Sequence, residues 1–154
     1  MIGAVMQPYF FPYTGYFQLI RAAEIFVVYD DVQYIKGGWI NRNRILMQGE
    51  ARWLTLPLRH ASPNRRIDQL EAPMSGRGKL LKTLRQCYAN APEFHAVFPL
   101  LESIVMCEEV NLARFLEHSL FRLCGYLGIR PRWLRSSELP KPPALKGEER
   151  LLAI

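Results

Sequence analysis

The chain has few of the residues on which the commoner catalytic and metal chemistries rest. Its three cysteines, Cys87, Cys107 and Cys124, are odd in number and show no CxxC spacing. This argues against a disulfide framework and points to free thiols in a reducing cytoplasm. Its three histidines, His60, His95 and His118, are scattered without an HExxH pair, so no metal site is expected. There is no GxSxG elbow, and no cysteine has the setting of a nucleophile. Ser75-Gly76-Arg77-Gly78-Lys79 lacks the spacing of a P-loop. No apolar run approaches the roughly 20 residues that span a bilayer. Residues 1–6 are too short for a secretion signal, and Gln7 and Pro8 interrupt them. A cytoplasmic protein without membrane insertion is expected.

What is present is ordinary in amount. The 154 residues suit one domain, and 49% hydrophobic with 22% charged residues is a globular balance. A net charge of +6 favours anionic partners, phosphates and RNA among them.

The front of the chain carries the organisation. Residues 1–6 have the size of a buried strand, and residues 7–14 form an aromatic loop stiffened by Pro8 and Pro12. Gly15 opens a helical pattern through Phe17, Leu19, Ile20 and Ala23. Residues 25–29 read as a second buried strand that runs into Asp30 and Asp31. Such a βαβ unit is right-handed, and ligands of open parallel sheets bind beyond the carboxyl ends of the strands. Those ends carry residues 7–14 and 30–39.

Further on, residues 32–35 alternate like a half-buried strand, and Gly37-Gly38 marks a turn. Residues 39–46 and 52–58 read as a hairpin about Gln48-Gly49-Glu50, with Pro57 at an edge. Residues 67–72 suggest another short strand. From Gly78 the spacing turns helical, first through Leu80, Leu81 and Leu84, then from Phe94 to Val105. A third helix is capped by Asn111. Residues 129–134 read as a late strand ending at Ser136-Ser137, which could contact phosphate or cap the next turn. Residues 140–146 read as an exposed linker, and residues 148–154 begin a helix that is marginal alone. The expected fold is α/β, with a mostly parallel Rossmann-like sheet, a hairpin insertion over residues 33–58 and a helical second half. Residues 1–139 form the domain, and residues 140–154 a linker and the start of a truncated segment.

The run QPYFFPYTGYFQLIRAAEIFVVYDDVQYIKGGWINRNRI resembles the opening of the bacterial WbqC-like family, often encoded among O-antigen and other surface-polysaccharide genes. The likeness returns in Ser136-Ser137-Glu138-Leu139 and Glu149-Arg150-Leu151-Leu152. It implies transfer of a glycyl or similar acyl group to the amine of a nucleotide-linked sugar, and a further C-terminal portion beyond the present chain. A second resemblance joins Pro12-Tyr13-Thr14-Gly15-Tyr16 to the HxGH loop of nucleotidylyltransferases. It implies the fold and, in the alternative, nucleotidyl transfer or ATP activation. There Gly15 lets a nucleotide approach, and Tyr13 and Tyr16 stand where histidines donate to its phosphates. The ligand is then ATP or a nucleotide-sugar with Mg²⁺.

Candidate site residues follow from both readings. Asp30 and Asp31 are the catalytic candidates, as base or amine-orienting groups; the alternative is a turn that accepts backbone N–H groups. Gln7, Tyr9 and Tyr13 are candidates to line the pocket, while Phe11 and Phe17 read as core. Gln33, Lys36, Trp39, Asn41, Arg42, Asn43 and Arg44 mix amides, cations and an aromatic ring suited to a phosphate-bearing sugar. On a strand Asn41 and Asn43 share one face, and Arg42 and Arg44 the other. Arg77, Lys79, Lys82 and Arg85 read mainly as a solvated face. A non-catalytic RNA- or protein-binding module is the remaining alternative.

Overall fold

An apolar residue at every position of Ile25–Val28 is the pattern of a parallel strand covered on both faces, and this strand takes the centre of the main sheet. The computed structural model describes residues 2–142, 144, 145 and 147–154. The chain runs β1 (Gly3–Met6), α1 (Thr14–Ala22), β2 (Ile25–Val28), β3 (Arg42–Met47), β4 (Glu50–Thr55), α2 (Arg77–Tyr88), α3 (Phe94–Val105), α4 (Leu112–Tyr126), β5 (Arg132–Arg135) and α5 (Gly147–Leu152). Strands β1, β2 and β5 form the parallel sheet in the order β1-β2-β5, with Met6, Val28 and Arg135 in one cross-strand row. All three strands therefore end together, and the loops that leave them share one end of the molecule. Met1, in the expected first strand, and Pro143 and Lys146, in the expected linker, lie outside the described residues.

Helices α1 and α4 cover one face of this sheet through Tyr16, Ile20, Phe26, Leu120 and Cys124. A larger apolar cluster joins the hairpin to the helical half through Phe10, Ile45, Leu56, Leu84 and Phe115. Helix α4 belongs to both, with Leu112, Phe115 and Leu116 in one and Leu120 and Cys124 in the other. Its start is fixed by Asn111, whose side chain accepts the backbone N–H of Arg114 at 3.1 Å.

The expected hairpin insertion is present as β3–β4, a separate antiparallel sheet that interrupts the chain between β2 and β5. Gln48 (φ 53°) and Gly49 (φ 80°) are both left-handed, as a two-residue type I′ connection requires. It begins at Arg42, and two other expected strands are corrected. Residues 32–35 make one antiparallel bridge, between Gln33 and Arg66, because Tyr34 and Ile67 exchange backbone bonds with residues 65 and 32. Residues 67–72 hold the 3-10 turn Ile67–Gln69 followed by single bridges at Glu71. Their apolar side chains are buried, but Ile67 and Leu70 are spaced for a turn of helix.

Arg77 also departs from expectation, being fully buried rather than solvated. Its guanidinium donates to the carbonyls of Ala72 (2.5 Å), Pro73 (3.3 Å), Val105 (3.2 Å), Cys107 (2.7 Å) and Glu109 (2.6 Å), and lies 4.4 Å from the Phe115 ring centre. One planar fork thus ties the start of α2 to the unpaired carbonyls at the end of α3. Arg77→Met should lower unfolding free energy by about 3 kcal/mol or more, because it strands buried carbonyls. Arg77→Lys should recover little of the loss, since an ammonium cannot span the fork. Urea denaturation of both variants measures this. Wild-type stability in Arg77→Met would show these bonds to be dispensable.

Candidate substrate cleft

The aromatic loop after β1 is held in a costly shape. Phe11 has φ 46°, a left-handed conformation that costs a non-glycine residue about 1–3 kcal/mol. Three contacts over-determine it. The Phe10 ring is fully buried, packing at 6.5 Å on Phe115. The Phe10 N–H donates to the Ile40 carbonyl at 3.1 Å. The Asn43 amide donates to the carbonyl of Phe11. Burying a phenylalanine contributes about 2–3 kcal/mol, enough to offset the strain.

This strapping folds the loop over the segment before β3 and leaves a cavity of about 280 Å³ lined by Tyr9, Pro12, Tyr13, Trp39 and Asn43. Tyr13 (69% exposed) and Trp39 (46%) present their rings to solvent. Gly15 permits the position of Tyr13, since a Cβ at residue 15 would meet that ring at 2.5 Å. The Trp39 ring stands 5.4 Å from Trp53, over which the guanidiniums of Arg42 (4.0 Å) and Arg44 (5.0 Å) are placed.

Four of the expected substrate-binding residues, Tyr9, Tyr13, Trp39 and Asn43, thus come together. Others are occupied within the fold. Asn41 is buried, accepting the Tyr34 hydroxyl at 2.7 Å and donating to the Leu56 carbonyl at 2.9 Å. The guanidinium of Arg42 donates to the carbonyls of Gly37 and Gly38. Tyr16 is 1% exposed, its hydroxyl donates to the Gln7 carbonyl at 2.7 Å, and burial pushes its pKa far up. Gln7 meets Tyr16 and Gln33 bridges Arg66 through backbone alone, so neither contact engages the amide side chain, and Gln33 is exposed. Lys36 and Arg44 are exposed on the same segment.

At the end of β2, Asp30 and Asp31 close the sheet rather than stand open. Asp30 accepts the Ser137 N–H (3.0 Å) and Ser137 hydroxyl (2.6 Å), while its own N–H donates to Ser136 Oγ at 3.2 Å. A hydroxyl has one proton, and the shorter contact of Ser136 Oγ is to Asp31 Oδ1, at 2.6 Å against 2.9 Å to Asp30. Asp31 Oδ2 also receives Lys141 Nζ at 2.9 Å and the Arg150 guanidinium at 2.5 Å. Lys141 is only 7% exposed in its side chain, which corrects the exposed linker expected there. Burial alone would raise the pKa of Asp31, but Ser136, Lys141 and Arg150 outweigh it and hold the carboxyl below its ordinary value.

A second opening flanks these carboxylates on the β5 side. Asp30, Asn111, Arg114, Arg135 and Ser137 line a cleft of about 360 Å³. Arg114 and Arg135 also border a groove of about 630 Å³ with Glu117, His118, Phe121 and Trp133. Arg135 bridges Glu117 and Glu138, each at 2.7 Å. The sequence reading passed over Arg114, Glu117, Arg135 and Lys141, and met His118 only as a scattered histidine and Arg150 only within the Glu149–Leu152 likeness. A signal existed for α4, where Arg114, Glu117, His118 and Phe121 recur on one helical face.

Two outcomes are expected from this geometry. A carboxyl whose folded pKa is depressed contributes stability that is complete above the ordinary carboxylate value and is lost as pH falls through the folded one. Unfolding free energy should therefore fall below about pH 4 in the wild type, and less steeply in Asp31→Asn. Parallel acid-limb curves would mean that Asp31 is not held by its cations. Gly15→Ala should swing the Tyr13 ring out of the cavity while changing stability by less than about 1 kcal/mol, because a ring end can move and alanine suits a helix. An unaltered Tyr13 ring resonance in the aromatic NMR spectrum would refute this.

Known proteins agree with the opening sequence. A mycobacterial relative, the uncharacterized protein Rv1507c of Mycobacterium tuberculosis (strain ATCC 25618 / H37Rv), is 32% identical over 136 residues. The alignment covers 86% of this chain and 59% of that protein, so the chain spans under two thirds of the relative's length. No solved structure matches. Residues 7–154 match the WbqC-like protein family, from the strained aromatic loop to the helix that carries Arg150, and the chain belongs to that family.

Proposed function

We propose that the chain binds a nucleotide-linked amino sugar at the carboxyl end of its parallel sheet and transfers an acyl or aminoacyl group to the sugar amine, in bacterial surface-polysaccharide (O-antigen) assembly. The observation that carries this reading is the pocket of Tyr9, Tyr13 and Trp39, built at a cost in backbone strain by the loop that leaves β1. Tyr13 and Trp39 offer faces to a sugar or base, and the exposed Lys36 and Arg44 meet phosphate.

The two carboxylates take different parts. Asp31, paired with two cations and lowered in pKa, stays ionised and fixes local charge. Asp30, held by the N–H and hydroxyl of Ser137 and lining the β5-side cleft, accepts the proton of the acceptor amine as its nitrogen attacks the acyl carbon; the bond from that carbon to the donor's carrier group breaks, and the departing carrier takes up the proton. The nucleotidyl alternative needs a phosphate donor at the second histidine position. Tyr16 is buried there with its proton engaged by Gln7, which weighs against it. An RNA-binding role keeps one supporting observation, the exposed Trp39–Trp53 pair with Arg42 and Arg44 beside it.

Calorimetric titration with a UDP-linked amino sugar, with and without Mg²⁺ and beside ATP, tests the reading. Saturable sugar-nucleotide binding should weaken at least about tenfold in Tyr13→Ala, the loss of one stacking contact. Asp30→Asn should retain binding and lose about 10²- to 10⁴-fold in acyl transfer, the usual contribution of a general base. Selective ATP binding, or single-stranded RNA binding that falls steeply with salt, would overturn it.

A further inference from the structure

Among the rings that line the aromatic pocket, Trp39 is the one that the loop after β1 does not carry. It follows a tight turn, in which the Gly38 N–H donates to the Ile35 carbonyl at 3.1 Å and Gly37 is left-handed at φ 80°. A half-exposed indole just after such a turn is not held by its backbone alone. Two residues outside the pocket lining support it. Arg42, the first residue of β3, reaches back over the turn. Its Nε donates to the Gly38 carbonyl at 3.1 Å and its Nη2 to the Gly37 carbonyl. Glycine at residue 37 leaves room for this, since a Cβ there would stand 3.3 Å from Arg42 Nη2. The same guanidinium lies 4.0 Å from the centre of the Trp53 ring. Trp53 pairs with Arg44 across the hairpin, and its ring meets that of Trp39 at 5.4 Å and 48°. A stack thus runs from the carbonyls of the turn through Arg42 and Trp53 to the pocket wall.

We infer that Arg42 and Trp53 are positioning residues, which fix the Trp39 ring in the orientation that the ring-bearing part of the substrate meets. The inference rests on the reading of the aromatic pocket as the substrate site. Two of the Arg42 donors are taken by carbonyls and its planar face by an indole, so its geometry is that of a clamp. Trp53 supplies no wall to the pocket and acts through the ring it backs. An indole already held in its bound orientation does not have to be ordered when the substrate arrives. The exposed Arg44 is then the arginine of this segment left to meet phosphate.

The probe is UDP-glucosamine, titrated calorimetrically against the whole chain. Trp53→Ala should weaken binding about twofold to tenfold, the cost of ordering one side chain on association. Trp53→Phe should recover most of that loss, because a phenyl ring still backs the indole. In a Trp39→Ala background Trp53→Ala should have no further effect, since no ring remains to be positioned. Arg42→Lys and Arg42→Met should weaken binding alike. Both should also reduce the exciton couplet that the paired indoles give in circular dichroism, with the helical signal unchanged. A Trp53→Ala loss that persists in the Trp39→Ala background would overturn the inference, by making Trp53 a direct ligand contact. Full affinity in Arg42→Lys beside weakened binding in Arg42→Met would also overturn it, by making charge the role of Arg42. Unchanged binding in Trp53→Ala while Tyr13→Ala still weakens it removes this inference alone. Unchanged binding in Tyr13→Ala, Trp39→Ala and Trp53→Ala together removes the substrate site itself.

Discussion

Asp30 and Asp31 at the end of β2 are bonded to Ser136 and Ser137 at the end of β5, across 105 to 107 residues of chain. Everything between those points, the hairpin and the long helices, is one crossover whose ends this contact fastens. Parallel pairing alone offers evenly spaced, slanted bonds over strands of four residues each. That is a short ladder for so long a closure, and loop entropy opposes it. Charge-assisted bonds from serine and from two cations reinforce the ladder where it stops. The same contact fixes which loops meet at the carboxyl end of the sheet, because the aromatic loop leaves β1 beside β2.

The helical half has its own fastening in Arg77. Its five carbonyl partners come from the turn before α2 and from the end of α3 through to Glu109, so helix ends that would otherwise hold unpaired acceptors are satisfied by one side chain. With no carboxylate among these bonds, the positive charge is stabilised by carbonyl dipoles and the face of Phe115. The arrangement orients α2 and α3 against α4.

Much of this was legible and some was not, for reasons that differ by residue. The βαβ opening, the Asn111 cap and the late strand follow from periodicity and from residue types with narrow roles. Arg77 was misread because charge was weighed above spacing: it occupies one helical stripe with Leu80, Leu81 and Leu84, all buried. Phe10 and Phe11 have no such guide, because a proline-shaped loop has no period to say which ring turns inward. Lys141 and Arg150 were illegible in a different sense. Each meets Asp31 across more than a hundred positions, and a single sequence carries no trace of which distant carboxylate a cation will find.

The strained loop and the locked carboxylates bear on one another through rigidity. A ring-binding pocket made of exposed Tyr13 and Trp39 would lose affinity if its walls had to be ordered on binding, since each immobilised side chain costs about 0.5–1.5 kcal/mol. Here the ordering is done in advance by Phe10, the Asn43 amide and the Gly15 opening. Relaxing Phe11 from φ 46° would release strain but would also withdraw the Phe10 ring from Phe115, so the loop has no inexpensive alternative shape. The carboxylate end is equally fixed, because an uncompensated Asp31 would be a buried charge. Motion at this end of the sheet then enters through the segment that carries Lys141 and Arg150, whose pairing with Asp31, like that of Arg135 with Glu117 and Glu138, proton or salt can loosen without unfolding a strand.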